Sequence, residues 1–204
     1  MKYLSLASLL LTFLLSSCRS GDKSITVEFQ LVQNGTPYSM STPFNKGDTA
    51  IALDLFHFYI SELTMGDAVV SEVLFVDPSD STYRNYTLNL DKRASTVSFG
   101  LGVAEDMNAM DPTTFATSHP LSSAFAMYWT WASKYRFIKA EGRYNASGDL
   151  SDAANNGGII WHTGTDPLYR TATLEADIRP GDHVVFKFDL DQLIAGVSLA
   201  KDGF

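Results

Sequence analysis

Cysteine is almost missing from this chain: Cys18 is its only one. A single thiol cannot build a disulfide framework, a multi-thiolate zinc centre or a dithiol redox couple. Positive charge is also in short supply. Lysine and arginine total 15 against 23 aspartates and glutamates, a formal net charge of −8, which suits neither nucleic acid nor an anionic lipid surface. Beyond residue 15 no run approaches the roughly 20 apolar residues that a membrane span requires. Catalytic templates are absent too. There is no Gly-x-Ser-x-Gly, no phosphate-cradling glycine loop and no His-Glu-x-x-His, so the sequence gives no reason to expect an enzyme.

What is present begins with a leader. Lys2 supplies a short positive region, and Leu4 to Leu15 is apolar except for Ser5, Ser8 and Thr12. The stretch ends in Leu15-Ser16-Ser17-Cys18: a branched apolar residue, two small residues and a cysteine. So short a run ending in small residues reads as a signal peptide and not a spanning helix. The expectation is a lipoprotein in which residues 1–17 are cleaved and Cys18 becomes the lipid-bearing N-terminus. Several acyl chains would hold it firmly, since each buried methylene contributes roughly 0.8 kcal/mol and one chain alone is marginal. That places the protein in the cell envelope, anchored at the periplasmic or outer-membrane face, with residues 18–24 as a polar tether and 25–204 as one domain.

Within that domain period-2 alternation dominates. Ile25, Val27, Phe29 and Leu31 alternate with Thr26, Glu28 and Gln30, the pattern of a half-buried strand. Ile51 to Ile60 is apolar on both faces apart from Asp54 and His57 and reads as a central strand, with His57 sharing a face with Leu53, Leu55 and Tyr59. Further strands are expected over Tyr86–Leu90, Val97–Val103, Phe125–Trp131, Tyr135–Tyr144, Gly158–His162, Thr171–Ile178 and His183–Leu190. Turn signals such as Asn34-Gly35, Asp77-Pro78-Ser79-Asp80 and Pro180-Gly181-Asp182 separate them. Strands at this spacing predict an all-β fold, an antiparallel β-sandwich in a single domain. Only Asp191 to Val197 looks helical. Met107 to Ser123 is the longest irregular stretch, and long loops on a β scaffold are where function tends to sit.

Four histidines are available as ligands or bases: His57, His119, His162 and His183. His57 lies mid-strand, where a core histidine bonded to backbone is the plain reading. His119 precedes Pro120 in the long loop. His162 ends an apolar strand just before Thr163-Gly164-Thr165, at a sheet edge, and His183 follows a solvated turn. No pair has a local metal spacing, so any site must assemble from distant strands. Met107 and Met110 are soft donors suited to Cu(I), although loop methionines more often pack. Asp106, Asn108 and Asp111 do not match the calcium-loop spacing.

The most distinctive segment is Met127-Tyr128-Trp129-Thr130-Trp131, followed by Tyr135-Arg136-Phe137-Ile138 and Glu141-Gly142. Together with Phe58-Tyr59-Ile60-Ser61, Phe99-Gly100-Leu101-Gly102-Val103 and Ile160-Trp161-His162-Thr163-Gly164, in this order, it resembles the MbnP-like family of exported β-sandwich proteins. The resemblance implies copper as cofactor, bound as Cu(I) by histidines and by a tryptophan that a partner dihaem, peroxidase-like enzyme oxidises to kynurenine. It puts His162 at the family's late histidine, Trp129 and Trp131 at the tryptophan pair, and His57 in the early strand motif. His119 is a further loop candidate. One position departs: copper-binding relatives carry Asn-His-x-Asp-Pro, whereas this chain has Asn108-Ala109-Met110-Asp111-Pro112. A shared copper site predicts that His162 approaches His57 or His119 with a tryptophan beside them. The alternatives are a structural or interaction domain that has lost the metal, which Ala109 favours, and a carbohydrate-binding lipoprotein, which would need exposed aromatic rings.

Overall fold

The structure, a computed structural model, describes residues 23–130 and 134–197 together with Gly21 and the backbone of Leu11–Leu14. The rest of the leader, Cys18 and Trp131 lie outside the described residues. The strands are β1 (Leu11–Leu14), β2 (Ser24–Gln33), β3 (Thr36–Pro37), β4 (Phe44–Lys46), β5 (Thr49–Met65), β6 (Ala68–Val76), β7 (Asn85–Asn89) and β8 (Ala94–Leu101). They continue with β9 (Tyr128–Trp129), β10 (Lys134–Asn145), β11 (Gly157–Gly164), β12 (Arg170–Ile178) and β13 (His183–Asp189). Short helices α1 (Ser81–Arg84), α2 (Glu105–Asn108) and α3 (Leu190–Leu193) punctuate them.

Two sheets face each other as a β-sandwich. The smaller runs β1-β13-β2-β3, with β7 also paired to β2. The larger runs β11-β10-β5-β8-β12, with β4 and β6 on β5 and β9 on β10. Pairings are antiparallel except one: β13 lies parallel to β2, with His183 beside Thr26. The alternation of β2 appears directly in its burial, since Ile25, Val27, Phe29 and Leu31 are all buried. Phe29 stacks on Phe186 of its own sheet at 5.2 Å and meets Phe58 of the other sheet edge-on at 6.1 Å.

The large sheet is covered on its outer face as well. Residues 104–130 fold over it and close a second cluster of Tyr59, Val73, Phe75, Val103, Leu121, Met127, Tyr135 and Phe137. Two buried tyrosines pin this layer: the Tyr59 hydroxyl donates to the Pro120 carbonyl at 3.0 Å, and the Tyr135 hydroxyl to the Leu121 carbonyl at 2.8 Å. Burial raises the pKa of both phenols, which keeps them donors. A strand buried on both faces loses clean alternation, which is why Ile51 to Ile60 is apolar apart from Asp54 and His57.

Three expectations need correction. Leu53 does not share a face with His57. The register with β10 skips a residue, pairing Glu141 with Leu55 but Gly142 with Leu53, so Asp54 bulges out and the strand changes phase. Leu53 then faces the sandwich core, whereas Leu55, His57 and Tyr59 lie on the outer side. The expected strand over Phe125–Trp131 shrinks to Tyr128–Trp129, because Ser123–Phe125 is a 3₁₀ turn and Ala126 takes φ of 53°. The helix expected over Asp191–Val197 is the single turn of α3 and a following turn. Strands β1, β3, β4 and β6 are present where none was expected.

Candidate functional site

On the outer face of the large sheet a row of charged side chains crosses four strands. Lys139 of β10 stands in register with His162 of β11 on one side and with His57 of β5 on the other. Beyond His57, the pairing of Phe58 with Val76 carries the row to Asp77, at the end of β6. Each histidine meets a carboxylate. Asp77 Oδ2 lies 3.1 Å from His57 Nε2, and Glu141 Oε1 lies 2.9 Å from His162 Nε2. The Lys139 ammonium sits 3.5 Å from that same Glu141 oxygen.

These contacts set the protonation. Burial is the largest influence on His57 and holds its pKa below the ordinary imidazole range, against the opposing pull of Asp77. It stays neutral at physiological pH, and its Nδ1 is buried without a hydrogen-bond partner. For Glu141, desolvation pushes the carboxyl up, but the bond from His162 and the charge of Lys139 together outweigh it and hold the pKa below the ordinary value. Asp77 is fixed from both sides, since its Oδ1 also accepts from the Ser79 backbone N–H at 2.9 Å and hydroxyl at 2.6 Å.

Trp129 joins the row at the His162 end. Its ring lies 6.2 Å from the imidazole at 80°, and the Arg136 guanidinium sits 4.9 Å above it. Both rings line a largely apolar cleft of about 540 Å³ that also takes in Phe56, Trp161, Leu190 and Ile194. Thus β9 folds back along the start of β10, with Trp129 opposite Lys134, and brings together two side chains that are distant in sequence.

The other candidates fall elsewhere. His119 stacks on Phe115 at 4.2 Å, and its Nδ1 accepts from the Leu121 N–H at 3.1 Å, so the loop itself uses it. His183 Nε2 lies 3.0 Å from Glu28 Oε2, without hydrogen-bond alignment. His57 and His162 are two strands apart, about 10 Å between backbones, with Lys139 between them. Each of the two rings is engaged by a carboxylate of its own. Among the described residues no three His, Cys, Asp or Glu side chains gather around one metal position. Asn108 is buried and structural, accepting from Tyr135 N–H at 3.1 Å and donating to Asp166 at 2.7 Å. Asp111 caps the next turn through Thr113, Met107 packs against the second cluster and Met110 is exposed.

The sequence alone had singled out His57, His162 and Trp129 but not Glu141, Lys139, Asp77 or Arg136. Glu141 stood inside the aromatic segment, yet only the strand register reveals what it touches.

The order of strands, the outer loop layer and the convergence of Trp129 with His162 can now be set beside known proteins. A sequence model of the family described as MbnP matches residues 22–203. The chain belongs to the MbnP family. Among solved structures, MbnP from Methylosinus trichosporium matches at 14% identity and a TM-score of 0.49, covering 83% of this chain and 76% of that one. A search of curated proteins finds no match. At so low an identity no residue role passes from that structure to this chain.

Proposed function

We propose that this MbnP-family protein is exported, lipid-anchored through Cys18, and binds copper at the mouth of the cleft with His162 as its imidazole donor. The observation that carries the reading is the meeting of His162 and Trp129 at 6.2 Å on a sheet edge. These are the two elements that the family resemblance designates, and they come from separate strands. The donor chemistry fits in part. Imidazole suits copper, and His162 Nε2 is already engaged by Glu141, as ligating histidines are in known sites. The indole of Trp129 has an N–H donor and no lone pair to offer, so it becomes a ligand only after oxidation, for which a dihaem partner enzyme is the implied agent. The role is binding and not catalysis. His57 and His162 are hydrogen-bonded to carboxylates and not to a hydroxyl nucleophile.

Two observations favour a second reading. The Lys139 ammonium occupies the centre of the row, where a cation would be repelled, and Ala109 stands where copper-binding relatives have histidine. On that reading the scaffold serves as an interaction domain without metal. Competition titration of the detergent-solubilised full chain with Cu(I) separates the two. Copper binding predicts about one equivalent for the wild type, loss of most of it in His162→Ala and no change in His183→Ala. A wild type that takes up no Cu(I), or a His162→Ala protein that binds equally well, puts the interaction reading in front.

A further inference from the structure

The two histidines of the row are held in the same way. A carboxylate only accepts hydrogen bonds, so each neutral imidazole that meets one through Nε2 carries its proton there and leaves the Nδ1 lone pair free. For His57 the partner is Asp77, whose other oxygen is tied to Ser79, so the acceptor cannot turn away. For His162 the partner is Glu141, whose same oxygen lies 3.5 Å from the Lys139 ammonium. The free nitrogen of His57 is buried and unpartnered. An arrangement that buries an acceptor without a donor is unfavourable by itself, and His57 holds one beside Lys139.

We infer that Glu141 and Asp77 are positioning residues that lock His162 and His57 in the Nε2–H tautomer before any metal arrives, so that Nδ1 is the nitrogen left with a lone pair in each ring. The tautomer follows from geometry alone; its importance for metal capture rests on the copper-binding reading above. The arrangement assigns Lys139 a part as well: its ammonium lies 3.5 Å from the Glu141 oxygen that meets His162 and helps to hold that oxygen in place.

The test uses the full chain labelled with ¹⁵N-histidine in detergent at pH 8, metal-free. With four histidines in the sequence, single replacements assign each ring, and two-bond ¹⁵N–¹H correlations show which nitrogen bears the proton. His162 and His57 are expected protonated on Nε2. In Glu141→Ala, His162 should drift to mixed tautomers while His57 stays unchanged. In Glu141→Gln the amide oxygen still accepts, so the tautomer should hold. Cu(I) affinity should fall roughly 10- to 100-fold in Glu141→Ala, the range for losing a carboxylate behind a ligating histidine, and much less in Glu141→Gln. The Glu141 side chain is 38% exposed, so these variants should keep the wild-type melting temperature. Nδ1 protonation of either ring in the wild type overturns the inference. So does an unchanged His162 tautomer in Glu141→Ala, or unchanged Cu(I) affinity in that variant. Undiminished binding by His162→Ala overturns the copper reading instead and leaves the tautomer result standing.

Discussion

Replacing Gly142 by alanine tests the bulge that gives the large sheet its phase. A Cβ built at Gly142 would lie 2.2 Å from the Ala52 carbonyl oxygen and 2.8 Å from Leu53 Cα. Both are backbone atoms of β5, so no side chain can swing aside, and β10 must move away from its neighbour. Forced overpacking of this kind destabilises by about 1–3 kcal/mol. With backbone on backbone the upper part of that range applies, about 2–3 kcal/mol, or a fall in Tm of roughly 4–12 °C for a domain of this size. Gly158 on the adjoining strand is the matched control. It pairs with Arg143, next to Gly142, and a Cβ there meets nothing within 4 Å, so Gly158→Ala should stay within about 0.5 kcal/mol of wild type. Differential scanning calorimetry of the three proteins decides. A Gly142→Ala protein melting within about 2 °C of wild type would refute the close approach, and with it the explanation of why Leu53 and His57 lie on opposite faces.

Tyr135→Phe leaves the Leu121 carbonyl without its donor in a buried setting and should cost about 1–3 kcal/mol in urea unfolding, with faster hydrogen exchange confined to the 104–130 layer. Asp54 is held below the ordinary carboxylate pKa first by the Ser41 hydroxyl and then by Arg143. A depressed folded pKa gives stability that is present above the unfolded value and lost as pH falls through the folded one, so Asp54→Asn should flatten the loss of stability below about pH 4; an acid limb as steep as wild type's would exclude Asp54 as a contributor. Cys18→Ala is expected to release the protein from membranes or to leave an uncleaved precursor, and normal membrane fractionation of that variant would remove the lipid anchor.

Sequence reading reached the sandwich because strands such as β2, which buries Ile25, Val27, Phe29 and Leu31 in turn, carry a period of two in their residues. It lost the phase of β5 because two irregularities, the bulge at Asp54 and the φ of 51° at Glu62, shift which residues point inward, and the outer loop layer makes the wrong face apolar too. It missed β6 because Val69 is 66% exposed while Val73 through Val76 are all buried, a pattern with no period of two. Phe125 and Met127 imitated a strand because both turn inward from an irregular loop. At the site, His162 and Trp129 stood out by residue type, but their partners depend on register. Which carboxylate meets which imidazole is settled by the registers of β11 on β10 and of β6 on β5, and a register is a property of two strands together, invisible in either one.

The parallel pairing of β13 with β2 joins the beginning of the domain to its end. Bringing ends so far apart together carries a large loop-closure entropy, and non-local pairings of this kind form late and slowly. Until β13 has been made, β2 has a ladder on only one side, and Phe29 lacks the Phe186 ring that it stacks against. The small sheet therefore cannot close on a partly synthesised chain.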